Sequence, residues 1–139
     1  MKRIKHLIRI IIAIGCISAG VLQPLLANAQ SLRYGAYNTF LSMQNILELA
    51  NTADDAQTAN LSFYSATGTL LLTTAVSVGG VSQQDLILNT FIPLPANSYG
   101  TVVVESPATL LARVSLYLPT PSGNGYQFAY SQPVADGLT

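Results

Sequence analysis

The sequence contains no tryptophan, and its single histidine and single cysteine, His6 and Cys16, both lie near the start of the chain. Residues 30–139 therefore offer neither an imidazole nor a thiol, and no lysine follows Lys5. Ser-His-Asp and Cys-His mechanisms need an imidazole, Schiff-base chemistry needs a lysine, and zinc, copper and haem are held mainly by His and Cys. These absences exclude all of those sites from that stretch.

Carboxylates are the remaining groups that could carry chemistry. A glycosidase needs only two of them, but Asp54 and Asp55 are neighbours that point apart in extended backbone, and the other acids are scattered. The segment 51–55 offers oxygen ligands of the kind that Ca²⁺ accepts, although the same residues are typical of a solvated turn. We predict a protein that is not an enzyme, with no catalytic residue, no cofactor and no metal site.

Positive charge is scarce beyond the first residues. After residue 29 the two cations are Arg33 and Arg113, whereas all six acids lie there, so residues 30–139 carry a net charge of −4. A chain with so few cations cannot neutralise a run of phosphates, which excludes nucleic acid as a partner. Only 9% of the whole sequence is charged and 50% is hydrophobic, a composition that indicates a packed core rather than disorder.

The first 29 residues have the parts of a secretory signal peptide. A basic start is followed by an apolar run over residues 10–22, then by Pro24 and the small–x–small sequence Ala27-Asn28-Ala29. This pattern predicts cleavage after Ala29, so that the mature protein begins at Gln30 and forms a single domain over residues 30–139. We therefore expect an exported protein, located in the periplasm, at the cell surface or outside the cell.

Two other interpretations of this leader stay open. As an uncleaved anchor it is short, because the apolar run falls below the roughly 20 residues of a membrane span and Pro24 interrupts its continuation. The sequence Ala13-Ile14-Gly15-Cys16 faintly resembles a bacterial lipobox, which would make Cys16 a lipidated N-terminus. That pattern has Leu where this chain has Ala13, and the chain stays apolar after Cys16. After cleavage we expect no membrane span.

The rest of the chain has the composition of a β-protein. Val, Leu, Thr and Tyr dominate, and Gly, Pro and Asn recur about every ten residues, which is typical of a sandwich or barrel. No alternation of strands with helices is visible, which argues against a parallel sheet. The predicted strands cover residues 45–50, 58–65, 69–78, 82–89, 99–105, 110–118 and 126–130. The fold class is all-β: an antiparallel, immunoglobulin-like two-sheet sandwich of about seven strands.

Alternation and turn residues predict local detail within these strands. Ala59, Leu61 and Phe63 should face inward together. The Gly79-Gly80 pair favours a tight hairpin that pairs the strands 69–78 and 82–89, because adjacent glycines can adopt the positive φ angles of primed turns. Pro93 and Pro95 cannot join a ladder, so residues 91–98 should form a crossover loop. One face of strand 69–78 should carry Leu70, Leu72, Val76 and Val78.

Residues 41–51 are ambiguous between a helix and a strand. Met43, Ile46, Leu47 and Ala50 have the spacing of an amphipathic helix, and Ser42 could cap it. A strand agrees better with the neighbouring sequence, although its alternation is poor. We favour the strand.

Two stretches of the sequence recur. Asn38-Thr39-Phe40 is repeated as Asn89-Thr90-Phe91, and residues 59–64 resemble residues 112–117. An internal duplication would explain both, and chance similarity between strands of similar composition is the alternative.

Tyrosines at equivalent places in the second repeat suggest an interaction face. Tyr64 and Tyr117 each lie on the polar side of a predicted strand, and with Arg113 they form a candidate face for a protein or glycan at the cell surface. The alternative is ordinary strand surface, where tyrosine is enriched because it covers neighbouring backbone. The sequence does not determine an oligomeric state.

Short motifs follow one another in a characteristic order along residues 34–134. They are Tyr37-Asn38-Thr39-Phe40, Ser62-Phe63-Tyr64 with Gly68, Asp85-Leu86-Ile87-Leu88-Asn89, Ser98-Tyr99-Gly100 before Val102-Val103-Val104, and Phe128-Ala129-Tyr130. This order resembles that of secreted bacterial immunoglobulin-like β-sandwich surface modules. The resemblance implies a sandwich on or outside the cell envelope and carries over no catalytic residue. We expect a non-catalytic module with an envelope-structural, adhesion or partner-binding role, or alternatively a periplasmic or extracellular protein that binds a glycan or small ligand.

Overall fold

The computed structural model describes residues 30–136, and the predicted signal peptide, residues 1–29 with Cys16, lies outside the described residues. β-strands are the main secondary structure of the described chain, which also contains a short α-helix and a 3-10 turn at Phe40–Ser42. The strands are β1 (Gln30–Asn38), β2 (Gln44–Asn51), β3 (Gln57–Ser65), β4 (Leu70–Val78), β5 (Ser82–Ile87), β6 (Tyr99–Pro107), β7 (Leu110–Pro119), β8 (Tyr126–Pro133) and β9 (Ala135–Asp136), and the helix is α1 (Leu88–Phe91). Within residues 30–136, no helix has the length and apolar character needed to cross a membrane.

The strands form two antiparallel sheets packed face to face, which confirms the predicted all-β sandwich. The five-stranded sheet has the order β4-β3-β6-β1-β9, and the four-stranded sheet has the order β5-β2-β7-β8. The inner faces of the two sheets supply the core, and Ala59, Leu61 and Phe63 are fully buried in it as the alternation predicts. The largest fully buried apolar side chains are Tyr37, Leu47, Leu49, Leu61, Phe63, Leu88 and Leu110.

Residues 44–51 form a strand, so the helical interpretation of this segment is wrong. Burial alternates at every residue of β2: Asn45, Leu47, Leu49 and Asn51 are buried, and the residues between them are half-buried. The alternation is hard to recognise in the sequence because two of the inward positions are asparagines and Ile46 lies on the outer side.

β1 and β9 are strands that the sequence did not predict, and they raise the strand count of the described residues from about seven to nine. In β1 the inward residues Arg33 and Tyr37 are buried with Gly35 between them, whereas Leu32 and Tyr34 on the outer side are 43% and 41% exposed. The usual pattern of apolar residues inside and polar residues outside is therefore partly inverted in β1. Periodicity of hydrophobic residues cannot detect such a strand.

The predicted hairpin at Gly79-Gly80 is wrong. β4 lies in the five-stranded sheet and β5 in the four-stranded sheet, where β5 pairs with β2, so the two glycines carry the chain from one sheet to the other. Neither glycine has a positive φ. Gly80 is required for close approach instead, because a Cβ atom there would lie 1.7 Å from the carbonyl oxygen of Asp54. The predicted crossover around Pro93 and Pro95 is present and leads from α1 to β6.

Leu70 does not share a face with the other predicted inward residues of β4. Phe63 pairs with Leu72, but Tyr64 pairs with Leu70, so Leu71 is an extra residue that forms a β-bulge. The bulge turns Leu70 to the outer side, where it is 53% exposed. Leu72, Val76 and Val78 face inward as predicted, and both valines are buried.

The strand order has an internal two-fold symmetry. The symmetry exchanges β1 with β5, β2 with β6, β3 with β7 and β4 with β8. This exchange converts the order β4-β3-β6-β1 of the larger sheet into β8-β7-β2-β5, which is the order of the four-stranded sheet read from its other edge. The similar segments 59–64 and 112–117 lie on β3 and β7, a pair that this exchange relates. The topology therefore supports an internal duplication over chance similarity.

The repeated Asn-Thr-Phe motifs meet at Asn45, whose side chain is fully buried. The Nδ2 of Asn45 donates to the carbonyl of Asn38 at 2.8 Å, and the Asn38 N–H donates to Asn45 Oδ1 at 2.7 Å. From the other motif, Asn89 Oδ1 accepts the backbone N–H of Asn45 at 2.8 Å. Because a buried amide must be hydrogen-bonded, this cluster fixes the end of β1 and the start of β2 against α1.

Candidate functional site

The three residues of the predicted interaction face do not lie together. Tyr64 is on the outer face of the five-stranded sheet, whereas Arg113 and Tyr117 are on the outer face of β7 in the four-stranded sheet. The outer faces of a sandwich point away from each other, so no small partner can touch all three. Positions that are equivalent in the two similar segments lie in opposite sheets, because the internal symmetry exchanges the sheets.

Arg113 forms an ion pair within its own sheet. Its Nε donates to Glu48 Oε2 at 2.8 Å, its Nη2 contacts the same oxygen, and Ser115 Oγ donates to Glu48 Oε1. The side chain of Glu48 is only 12% exposed. Burial raises the pKa of the Glu48 carboxyl, but the hydrogen bonds from Arg113 and Ser115 and the Arg113 charge outweigh this effect and hold the pKa below its ordinary value.

Glu48 should therefore stabilise the fold only while it is ionised. Its pKa is lower in the folded protein, so its contribution is present above the ordinary value of 4.5 and is lost as the pH falls through the folded pKa. We expect Glu48→Gln to lower the melting temperature near neutral pH, and the difference from wild type to shrink as the pH falls below 4.5. Thermal melts of both proteins across this range measure the effect.

Asp85→Asn is the matched control for this measurement. Asp85 is paired with Glu48 across the β2–β5 ladder, and its carboxylate accepts a hydrogen bond from Gln83 rather than from Arg113. Its removal should produce a smaller change at neutral pH. A Glu48→Gln difference that is independent of pH would contradict the assignment.

Tyr117 packs against a second tyrosine on the outer face of the four-stranded sheet. The ring centroids of Tyr117 and Tyr126 are 5.0 Å apart with an interplanar angle of 48°. The hydroxyl of Tyr126 donates to Gln44 Oε1 at 3.1 Å. These contacts tie β7 and β8 to β2, and they agree with the interpretation of Tyr117 as ordinary strand surface.

A groove of about 810 Å³ runs along the outer face of the five-stranded sheet. We call it the tyrosine groove. Its main lining residues are Leu32 and Tyr34 of β1, Tyr64 of β3, and Tyr99, Val103 and Glu105 of β6. β6 forms the floor between β3 and β1. Because neighbouring strands lie about 4.8 Å apart, Tyr34 and Tyr64 rise from strands about 10 Å apart, on either side of the floor.

The register of the sheet sets the order of groups along the groove. Leu32 is opposite Glu105, Tyr34 is opposite Val103, and Tyr64 is opposite Thr101 on the other side of β6. At one end, Tyr99 is 60% exposed and its ring centroid lies 6.4 Å from that of Phe40. Polar side chains alternate with these apolar ones, namely those of Asn60, Ser62, Ser65 and Thr101.

The charge of the tyrosine groove is negative. Glu105 lines the groove, whereas the two cations of residues 30–136, Arg33 and Arg113, do not line it. Arg33 points to the inner side of β1, where its Nε donates to Asp136 Oδ1 at 3.2 Å and its Nη1 donates to the carbonyl of Leu110. Arg113 lies on the opposite sheet. Within residues 30–136, an anionic ligand would therefore meet repulsion from Glu105, with neither arginine placed to neutralise it.

Few of the described residues that line the groove could catalyse a reaction or hold a metal ion. Glu105 is the one acid among its lining residues, whereas hydrolysis of a glycosidic bond uses two carboxyl groups. Within residues 30–136, no three His, Cys, Asp or Glu side chains are grouped closely enough to hold a metal ion. The arrangement can bind a ligand through aromatic faces and hydroxyl groups.

The segment considered for Ca²⁺ is held by its own hydrogen bonds. Asn51 is 3% exposed, and its Nδ2 donates to the carbonyls of Asp55 and Gly79 at 2.8 and 2.9 Å. Its Oδ1 accepts the Ala53 N–H at 3.0 Å. The amide therefore caps the turn and ties it to the end of β4, as in the solvated-turn interpretation.

Sequence reasoning found one of the three groove tyrosines and missed Tyr34 and Tyr99. Tyr34 is in the strand whose inner and outer residues are partly inverted, so nothing marked its side chain as part of an outer surface. The available signal was the spacing of Leu32, Tyr34 and Ala36, which places three apolar residues on one face of a strand. Their meeting with Tyr64 depends on the strand order β3-β6-β1, which the sequence does not specify.

Comparison with known proteins supports the fold. No family model and no curated protein sequence matches the chain. The crystal structure of the protein designated Thermotoga maritima 1070 is similar to it, with a TM-score of 0.61 and 15% sequence identity over 76% of this chain and 90% of that one. At this level of identity the similarity establishes a shared fold and nothing about function.

Proposed function

We propose that the protein is an exported, non-catalytic β-sandwich module of the cell envelope, of the immunoglobulin-like kind that its motifs resemble, and that it binds a glycan in the tyrosine groove. The observation that carries the proposal is the gathering of Tyr34, Tyr64 and Tyr99 from three strand segments around one groove of about 810 Å³. Pockets of about 300–1,000 Å³ are typical of sites for small molecules.

The side chains of the groove match the surface of a sugar ring. A tyrosine ring is flat and rigid, so it can pack against the apolar C–H face of a pyranose and lose little conformational entropy. Around the tyrosines, Ser62, Thr101 and Asn60 offer both donors and acceptors for sugar hydroxyl groups. Alternation along β3 and β6 brings these polar groups to the same face as the aromatic ones.

The negative charge of the tyrosine groove favours neutral glycans over acidic ones. Glu105 lines the groove, Arg33 and Arg113 form ion pairs elsewhere, and residues 30–139 carry a net charge of −4. An acidic polysaccharide would be repelled, because like charges interact unfavourably over the distance of a Debye length. The expected ligand is a neutral oligosaccharide.

Calorimetric titration with neutral oligosaccharides tests the proposal. Cellotetraose and the tetramer of N-acetylglucosamine serve as neutral probes, and tetragalacturonate serves as the acidic one. We expect a neutral probe to bind, and both Tyr34→Ala and Tyr64→Ala to weaken its binding by about tenfold or more, equivalent to about 1.4 kcal/mol. The protein contains seven tyrosines and no tryptophan, so quenching of tyrosine fluorescence gives a second reading of the same event.

Tyr117→Ala is the control for these variants. It removes the same side chain from the equivalent position of the opposite sheet, so it should leave binding unchanged. Melting curves of all three variants exclude unfolding as the cause of lost binding. The proposal fails if none of the probes binds, or if Tyr117→Ala weakens binding as much as Tyr64→Ala does.

A role in envelope structure or adhesion, through contact with another protein, is the second candidate. This candidate is favoured by β8, which lies at the edge of the four-stranded sheet. Every residue of β8 except the half-buried Gln132 is exposed. In that case a tagged protein should remain with the envelope fraction in the presence of excess oligosaccharide. Release of the protein by the oligosaccharide would favour glycan binding instead.

A further inference from the structure

Among the strands of residues 30–136, β8 is an edge strand that no other strand covers. It pairs with β7 on one side, and on the other side it ends the four-stranded sheet. It is eight residues long, whereas about five or six is usual, so it presents an extended row of backbone N–H and C=O groups without a ladder partner in the described chain. We propose that this edge pairs with β8 of a second copy of the chain, which joins two four-stranded sheets into one continuous sheet.

The absence of charge on β8 indicates that the strand pairing with this edge belongs to a second copy of the chain. Natural proteins protect edge strands with charged side chains, with proline or with a covering segment. The residues of β8 carry no charge, and Pro133 stands only at its end. At the opposite edge of the same sheet, β5 contains Asp85. Because the copies share a net charge of −4 over residues 30–139, an uncharged edge is where they can meet with least repulsion.

Two aromatic side chains of β8 face the interior of the sandwich and yet remain exposed. Tyr130 is opposite Leu116 and Phe128 is opposite Leu118 in the β7–β8 ladder, so both lie on the inner side of the sheet. Each is 49% exposed. The other sheet ends here with β9, which has two residues and cannot cover a strand of eight. A second copy would supply the missing apolar contact.

The sequence of β8 is self-complementary about Ala129. An antiparallel pair with Ala129 opposite Ala129 of the second copy places Phe128 opposite Tyr130, and Tyr130 opposite Phe128, on the inner side. A shift of two residues in one direction places Tyr130 opposite Tyr126, which is turned outward to Tyr117, and a shift in the other direction places Phe128 opposite Gln132. Either shift leaves one aromatic residue of each copy without an inward-facing aromatic partner. Directly opposed aromatic residues stabilise antiparallel pairs. The resulting contact is symmetric and closes at two copies.

In the part of the chain that the structure describes, β4 is a second uncharged edge strand and provides the comparison. It occupies the equivalent edge of the five-stranded sheet, but its inward residues Val76 and Val78 are buried by the sandwich itself. β4 also carries the bulge at Leu71, which interrupts its pairing face. Pairing between copies should therefore involve β8 and not β4.

Disulfide trapping tests the proposed pair directly. In the full chain with Cys16→Ser, Ala129→Cys introduces a single cysteine. Directly opposed residues of an antiparallel pair have Cα atoms about 4.5 or 5.5 Å apart, which a disulfide can bridge. We expect mild oxidation to convert most of this variant to a covalent dimer on a non-reducing gel. The control is Ala75→Cys. Ala75 is also an exposed alanine, but it lies on β4, so this variant should remain mainly monomeric.

A charge variant gives the second measurement. Ala129→Lys places two like charges opposite each other in the proposed pair, so it should shift the protein from dimer to monomer in size-exclusion chromatography with light scattering. Ala75→Lys should leave the dimer intact, and the melting curves show whether either variant is misfolded. A monomeric wild-type protein, or equal cross-linking of Ala129→Cys and Ala75→Cys, would overturn the proposal. Because the tyrosine groove is on the other sheet, neither result bears on glycan binding.

Discussion

Replacing Phe63 by alanine should lower the free energy of unfolding by on the order of 3–5 kcal/mol, a large share of the roughly 5–15 kcal/mol that stabilises a typical domain. Phe63 is fully buried on the inner face of β3, a central strand of the five-stranded sheet. Its removal takes contacts from the core and leaves a cavity that the surrounding strands can fill only in part. Chemical denaturation with a two-state fit measures the change.

Tyr64→Ala is the matched control, one residue further along the same strand. Its side chain lies on the outer face in the tyrosine groove, because strand side chains alternate. The hydrogen bond that Tyr37 donates to Tyr64 ends on the backbone carbonyl and survives the substitution. Tyr64→Ala should therefore cost far less. Equal destabilisation by the two variants would mean that both faces of β3 are buried, which the sandwich does not allow.

Gly80→Ala should also destabilise the protein strongly, by at least the roughly 1–3 kcal/mol of an overpacked site. The added Cβ would lie 1.7 Å from the carbonyl oxygen of Asp54 and 2.5 Å from its carbonyl carbon. Both are backbone atoms, so no side chain can move aside to make room. The strain falls on the segment that carries the chain from β4 to β5, where the Val81 N–H also donates to the carbonyl of Ala53 at 2.8 Å.

Gly79→Ala is the control for the neighbouring position. A Cβ atom at Gly79 would lie 3.2 Å from the Oγ of Ser82, a side-chain atom that can rotate away. Neither glycine has a positive φ, so neither substitution places a side chain in the left-handed region, and the expected difference comes from local space. We expect a small change for Gly79→Ala in the same denaturation experiment. If the two variants were equally stable, the close approach between Gly80 and Asp54 would be absent in solution.

Predictions from periodicity succeeded in strands with apolar inward residues, except at Leu70, where the bulge in β4 reverses the face. β3 and β7 have clean alternation, and their faces agree with those expected from the sequence. β2 was recognised as a strand, although its inward positions include Asn45 and Asn51, which are buried because the hydrogen bonds of neighbouring loops satisfy their amides. β1 was missed, since Arg33 faces inward and is held there by Asp136 and the carbonyl of Leu110. Tertiary contacts of this kind can place a polar residue on the inner face of a strand, against the expectation from the hydrophobic pattern.

The candidate site depended even more on tertiary structure. The sequence correctly placed Tyr64 on an outer face, but it grouped Tyr64 with Arg113 and Tyr117 because the segments around them are similar. The internal symmetry of the strand order puts those segments in opposite sheets. Tyr64 instead lies near Tyr34 and Tyr99, residues that are distant in sequence and are brought together by the pairing of β1 and β3 with β6.

The sequence by itself determined the class of fold and which residue types are missing after residue 29, because these follow from composition and from local alternation of side chains. The absence of His, Cys and Lys after residue 29, the excess of acids and the period of two along the strands need no knowledge of which strands pair. Only the tertiary structure decided that Gly79-Gly80 joins two sheets, that β8 ends a sheet with Phe128 and Tyr130 uncovered, and that three tyrosines share one groove. The physical reason is that strand order and register are set by non-local contacts between residues far apart in the chain, which local sequence pattern does not encode.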